Sequence, residues 1–491
     1  MTRDTPLTIP RCMSTQHPDN VNVPFFSSGP ELSGEDEVQE AYYAFSHLGC
    51  DEQMWDVEGK EVDSFVVKKL LTRHEPYFAE HRLGRNVFVT LRVPNPTVEK
   101  AEAKILLETL ESIPRSFDAS KLVYGDDLPP IFEVILPMTT SAKCIDRVYH
   151  YYRDFIVGRQ DRSFIKDDIS IAEWIGEFKP DTINVIPLFE DLPHLATADE
   201  ITEAYLGGKN TTHQRVFLAR SDPAMNYGII SAVLMTKIAL ARLQDLTERS
   251  GVAIHPILGA GSAPFRGNLS PVNAPRVAEE YPSVETFTVQ SAFKYDHAPT
   301  EVMNAIRYLR DRATRPAQEM DEEGCHALTS RYAAEYQRQV LALAPAINSV
   351  ARFVPSRRKR KLHVGLFGYS RSMGEVQLPR AISFTAALYS LGVPPELLGL
   401  SALTAADLAF VRSMYRHFDA DIKDALRFAD LESPYMPREV RSAVEKLGLS
   451  ANVDLEHREL VRQISRRTLD EQKESVADLV VRAASLRRFL G

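Results

Sequence analysis

Short runs rich in Val, Ile and Phe recur along the chain, each closed by polar or charged residues and usually followed by Leu and Ile at helical spacing. The runs are Gln53–Val57, Asn86–Val93, Ile131–Met138, Thr182–Phe189, Arg215–Ala219, Ala253–Leu258, Thr286–Ser291 and Leu362–Phe367. Between most of them the periodicity predicts helices, at Pro96–Glu111, Ser141–Phe155, Thr197–Tyr205, Asn226–Ser250 and Thr300–Arg312. Strands that alternate with helices pair in parallel, and eight such units predict a closed (β/α)8 TIM-type barrel of the α/β class.

The flanks exceed a bare barrel. A helix opens near Ser33, with Glu35, Asp36 and Glu37 in its first turn, where the helix dipole favours acids. A long amphipathic stretch, Pro316–Pro355, precedes the last apolar run, and Arg380–Gly491 reads as almost wholly helical. The expected division is therefore an N-terminal arm and helix contributing to the active site (1–50), a catalytic barrel (51–375) with a helical insertion at about 313–356, and a helical C-terminal region (376–491) packed on the barrel. The basic run Arg357-Arg358-Lys359-Arg360-Lys361 reads as a solvated linker into the last strand, since no other basic cluster accompanies it.

Composition narrows the function classes. With 58 Lys+Arg against 67 Asp+Glu the net charge is -9, so nothing global attracts nucleic acid or an anionic membrane. Four cysteines, Cys12, Cys50, Cys144 and Cys325, show no C-x-x-C spacing and read as reduced thiols of a cytoplasmic protein. The N-terminus lacks the apolar run of a signal peptide, and no stretch of about 20 apolar residues occurs, so a soluble protein is expected.

In a (β/α)8 barrel the reacting groups project from the C-terminal strand ends, and here those positions are biased toward acids, Arg and Gly. Glu190 and Asp222 follow neighbouring runs. Either carboxylate alone could equally cap the following helix, but a pair at adjacent strand mouths suits Mg²⁺ or Mn²⁺, which take one or two carboxylates and complete an octahedron with water and substrate oxygens. Arg266 lies in a loop of small residues, Gly259-Ala260-Gly261-Ser262, whose backbone N–H groups could approach an anion. Arg92 ends the second run, and Arg371 and Arg380 bracket a later loop, where guanidinium groups could grip phosphate and carboxylate. His17, before Pro18, would by composition alone be an ordinary surface residue.

The segment Met-Ser-Thr-Gln-His-Pro-Asp-Asn at Met13–Asn20 resembles the hallmark of the archaeal-type, short-form phosphoenolpyruvate carboxylases. Further segments match in order: Pro187–Asp191, Arg220–Gly228, Gly259–Asn268, Gln290–Asp296 and Gly368–Gly374. The resemblance implies an enzyme joining phosphoenolpyruvate to bicarbonate, giving oxaloacetate and phosphate through carboxyphosphate and a metal-stabilised enolate. It implies a Mg²⁺ (or Mn²⁺) cofactor on Glu190 and Asp222, a homotetramer, His17 as base, and catalytic Arg266 and Arg371. Arg92, Gly259, Gly261, Ser262, Arg266, Arg371 and Arg380 are the implied substrate contacts, and the loop from Gly259 to Gly267 is expected to close over the substrate.

Two departures from the related long carboxylases stand out. Met225 occupies the place of a Lys three residues after the metal Asp, and Leu258 and Ala260 replace a His and an additional Arg, with Arg92 or Arg220 as possible substitutes. Two other readings fit the same barrel: another metal-dependent lyase or aldolase of pyruvate enolate, and a non-catalytic regulatory relative.

Overall fold

Eight short parallel strands close into a barrel: β1 (Cys12–Ser14), β2 (Glu52–Asp56), β3 (Phe88–Arg92), β4 (Glu133–Leu136), β5 (Asn184–Phe189), β6 (His213–Ala219), β7 (Ala253–Gly259) and β8 (Thr286–Val289). They belong to a computed structural model that describes residues 8–57, 63–100, 103–359, 371–373, 376–469 and 476–491. Seven of the expected strands are present. The remaining one, Leu362–Phe367, lies outside the described residues, and the barrel closes without it. Its first strand comes instead from the segment read as an arm: Met13 pairs with Glu52 on one side and Thr288 on the other.

Side chains from alternate strands stack inside the barrel in layers. The lowest layer is ionic. Arg215 of β6 donates from Nη1 and Nη2 to Glu52 of β2 (2.7 and 2.6 Å), from Nη1 to Glu133 of β4 (3.0 Å) and from Nη2 to the Thr286 hydroxyl of β8 (3.2 Å). All four are buried, so the guanidinium is the counter-charge that lets two carboxylates sit in the interior. Above it Met13, Met54, Ile135, Ile186, Leu188, Phe217 and Ile257 form a continuous apolar plug. Thr90 and Thr288 stand level with Met54 and Met13, and charged residues reappear at the C-terminal strand ends, where the plug stops.

Outside the barrel the helices follow the predicted spacing with three adjustments. The first expected helix runs over Ala103–Tyr124, the second ends in a π-helical turn at Tyr151–Val157, and Asn226–Ser250 divides into Ser221–Tyr227 and Ile229–Ser250. The division falls at Gly228 (φ 83°), where a Cβ would meet the Tyr332 ring at 2.5 Å. Ile229–Ser250 is apolar all round in its first turns because Glu322–Ala351 packs across it, leaving that part no solvent face.

The basic run is not the solvated linker that its composition predicts. Arg358 is fully buried, donating from Nη1 to Glu37 (3.0 Å) and from Nη2 to both oxygens of Glu40 (2.6 and 2.7 Å). Lys294 Nζ (3.0 Å) and the Tyr295 hydroxyl (2.8 Å) donate to the same carboxylate. Burial alone would raise the Glu40 carboxyl; Arg358 and Lys294 overcome it and hold the group at about 2. Acids spaced three apart on the Glu35–Tyr43 helix thus tie the arm to the segment entering the last third of the chain. Lys359 is exposed, and Arg360 and Lys361 lie outside the described residues.

Candidate active site

A cavity of about 310 Å³ opens at the C-terminal strand ends, and His17, Arg92, Glu190, Asp222, Gly259, Arg266 and Arg380 all line it. Its roof is built by Val354–Arg357 and Arg380–Ser383, where the helical C-terminal part returns over the barrel mouth. His17 follows β1 as Glu190 follows β5 and Asp222 follows β6. Its Nδ1 lies 3.0 Å from the hydroxyl of Thr15, and the Ser291 N–H donates to its carbonyl (3.3 Å).

Glu190 is nine-tenths buried just beyond β5 and accepts from the Met138 N–H through Oε2 (2.8 Å). Met138 reaches it in a left-handed conformation (φ 51°), uncommon for a residue with a side chain and concentrated at functional sites. Asp222 stands in the first turn of Ser221–Tyr227, immediately after β6. Among the described residues no group of three or more His, Cys, Asp or Glu side chains gathers as a metal site. Two carboxylates on an open cavity suit a hard octahedral cation that keeps positions for water and substrate, and do not suit a closed four-ligand zinc site.

The arginines differ in how their charge is used. Arg92 grips Asp56 with two hydrogen bonds, Nε to Oδ1 (2.8 Å) and Nη2 to Oδ2 (2.9 Å). Arg266 is buried and bonded on every nitrogen: Nε donates to Ser221 Oγ (3.0 Å), Nη1 to Asp19 Oδ2 (3.2 Å) and the Gly491 carbonyl (2.7 Å), and Nη2 to Gln290 Oε1 (2.6 Å). Burial pushes its pKa down, while the carboxylates of Asp19 and Asp222 push it back up. The side chain of Arg371 lies outside the described residues; its backbone belongs to a two-stranded antiparallel hairpin of Arg371–Met373 with Val376–Leu378.

The loop expected to close over the substrate packs against its neighbours in this structure. Residues 260–267 are all buried, Gly261 N–H donates to the Arg266 carbonyl (2.9 Å), Leu269 N–H to Gly261 (2.9 Å) and Phe265 N–H to Glu396 (2.6 Å). Gly261 and Ser262 do not line the cavity. A Cβ on Gly261 would lie 2.9 Å from the Arg266 guanidinium, so that glycine makes room for the arginine, and the Ser262 hydroxyl donates to the Leu269 carbonyl (3.2 Å). Met225, where the long carboxylases resembled above have Lys, is buried with its carbonyl accepting from the Tyr336 hydroxyl (2.9 Å).

The sequence family described as phosphoenolpyruvate carboxylase matches residues 9–491. A phosphoenolpyruvate carboxylase of Methanothermobacter thermautotrophicus is 58% identical over 483 residues, covering 98% of this chain and 100% of its own. Those of Methanospirillum hungatei and Pyrococcus abyssi are 57% and 49% identical at the same coverage. The chain belongs to the phosphoenolpyruvate carboxylase family.

In this carboxylase, a carboxy-lyase, sequence reasoning missed several residues at the cavity. Gln290 on the cavity and Thr15 behind His17 stand in the matching segments but carry no strong chemical signal of their own. Asp56, partner of Arg92, was visible only as the end of an apolar run, and Arg357 was hidden in the basic stretch. No helix of the described residues is long and apolar enough to cross a membrane.

Proposed function

We propose that the cavity converts phosphoenolpyruvate and bicarbonate to oxaloacetate and phosphate. The observation that supports this reading is the convergence of an imidazole, two carboxylates and several guanidinium groups on one cavity at the barrel mouth. A bicarbonate oxygen attacks phosphorus and the bond from phosphorus to the enol oxygen breaks, giving carboxyphosphate and the enolate of pyruvate. His17 accepts the carboxyphosphate proton, the C–O bond to phosphate breaks, and the enolate carbon adds to the CO₂ released. An imidazole titrates near neutrality, and general-base help is worth about 10² to 10⁴ in rate.

Glu190 and Asp222 would hold Mg²⁺ or Mn²⁺, which when bound supplies Lewis-acid stabilisation of negative charge on the enolate oxygen. Arg266, fixed by Asp19, Gln290 and Ser221, presents a pre-oriented positive charge, and Arg92 is oriented by Asp56. Arg380 and Arg371 complete the proposed set of anion contacts. Such fixed charge needs no reorganisation as the phosphoryl group transfers. The plugged interior and the roof keep bulk water from the enolate.

Purified protein with phosphoenolpyruvate, Mg²⁺, bicarbonate, malate dehydrogenase and NADH should oxidise NADH, and omission of any one component should stop it. NADH oxidation that persists without bicarbonate would overturn the reading. The family resemblance also supports a cytoplasmic homotetramer, which light scattering on the eluted enzyme tests for assembly.

A further inference from the structure

Among the described residues, two guanidinium groups on the cavity have no carboxylate partner. Arg357 donates from Nε to the Asn20 carbonyl (3.3 Å) and from Nη2 to the Val21 carbonyl (2.6 Å), and lines the cavity beside them. Asp296 acts on it only through space, because the carboxylate oxygens of Asp296 accept the N–H groups of Val21 (2.7 Å) and Asn22 (2.8 Å). Arg220 is 1% exposed, and its Nε and Nη1 are buried without hydrogen-bond partners. Its aromatic neighbour Tyr281, 6.0 Å from the guanidinium carbon to the ring centroid, carries no counter-charge.

Arg92 and Arg266, two of the four arginines expected from the sequence, are held differently. Arg92 is paired with both oxygens of Asp56, and Arg266 with Asp19, so part of the charge of each is already balanced before an anion arrives. Buried cations are ordinarily matched by an anion, and a guanidinium held on two carbonyls keeps N–H groups for a planar oxyanion. Arg220 directly follows β6, while Arg357 rests on the strap that follows β1, three strands further round the barrel, so the two approach the cavity from different sides.

We propose that Arg357 and Arg220 are substrate-binding residues that supply the uncompensated charge for the phosphoenolpyruvate anion. The assignment rests on the carboxylase reading above and adds residues that it does not require. Loss of such a contact weakens binding in the ground state and transition state together, so it appears in KM more than in kcat.

The test uses the full-length enzyme. Arg357→Met should raise KM for phosphoenolpyruvate at least tenfold and by a larger factor than kcat falls, with Arg357→Lys intermediate. Arg220→Met should do the same, and Arg220→Lys should recover part of the loss. Calorimetric titration with phosphoenolpyruvate and Mg²⁺, without bicarbonate, should show the same order of affinities. If either Met variant does not fold by circular dichroism, the corresponding Gln variant, which keeps an N–H donor, is read in its place. Wild-type KM and affinity in the folded Arg357 variant would overturn the proposal. Failure of the wild type to form oxaloacetate while still binding phosphoenolpyruvate would instead overturn the carboxylase reading and leave these affinities to be judged separately.

Discussion

The hydroxyl of Thr15 lies 3.0 Å from Nδ1 of His17, two residues further along the strap that leaves β1. A hydrogen bond at Nδ1 selects the tautomer and fixes the ring, which decides whether Nε2 is available as a base. Thr15→Val, nearly isosteric, should lower kcat about tenfold, the value of one hydrogen bond of roughly 1.4 kcal/mol, and should shift the acidic limb of the pH–rate profile. Thr15→Ser should restore both. A Val variant with an unchanged profile would show that the contact does not orient the base.

Cation binding is testable apart from turnover. Glu190→Gln keeps an oxygen for the Met138 N–H and removes the charge, so the fold should hold while Mn²⁺ affinity, followed by electron paramagnetic resonance, falls about 100-fold, roughly 2.7 kcal/mol. Asp222→Asn should behave alike. Chelation of the wild type should abolish turnover, and added Mg²⁺ or Mn²⁺ should return it.

The ionic layer under the plug should be costly to break. Arg215→Met leaves Glu52 and Glu133 buried without their shared cation, and should destabilise the fold by about 3–5 kcal/mol in chemical denaturation. Expression of a variant with wild-type stability would remove this account of the layer.

Glu396 gives a pH signature. Burial raises its carboxyl to about 7, although the Tyr389 hydroxyl and the Phe265 N–H, which it accepts, pull the other way. A folded-state pKa above the unfolded value means that the contribution is fully present below about 4.5 and is lost as pH rises through about 7. Relative to Glu396→Gln, the wild type should therefore lose about 3 kcal/mol between pH 4.5 and 8. Parallel denaturation curves of the two proteins across that range would refute the assignment.

Strands such as β5 and β6 were legible because apolar residues run on over four or more positions and polar residues bound the run. Cys12–Ser14 was not, since three residues contain no period; its strand character comes from pairing with β2 and β8, which a local pattern does not encode. Candidate site residues were read by position after a strand and by motif, and His17, Arg92, Glu190, Asp222, Gly259, Arg266 and Arg380 line one cavity. Gly261 and Ser262 read as anion contacts from the small residues of their loop, and in the structure Gly261 also clears space for Arg266. Arg358 was misread: a run of basic residues shows charge but not the carboxylates, distant in sequence, that bury it.

Because β1 and β8 close the ring, the proposed base and its supporting elements come from opposite ends of the barrel sequence. His17 is made early in translation, yet its place beside Ser291 exists only after the eighth strand has emerged and annealed to the first. Catalytic competence should accordingly arrive in a single late step of folding, governed by long-range closure and not by local helix formation.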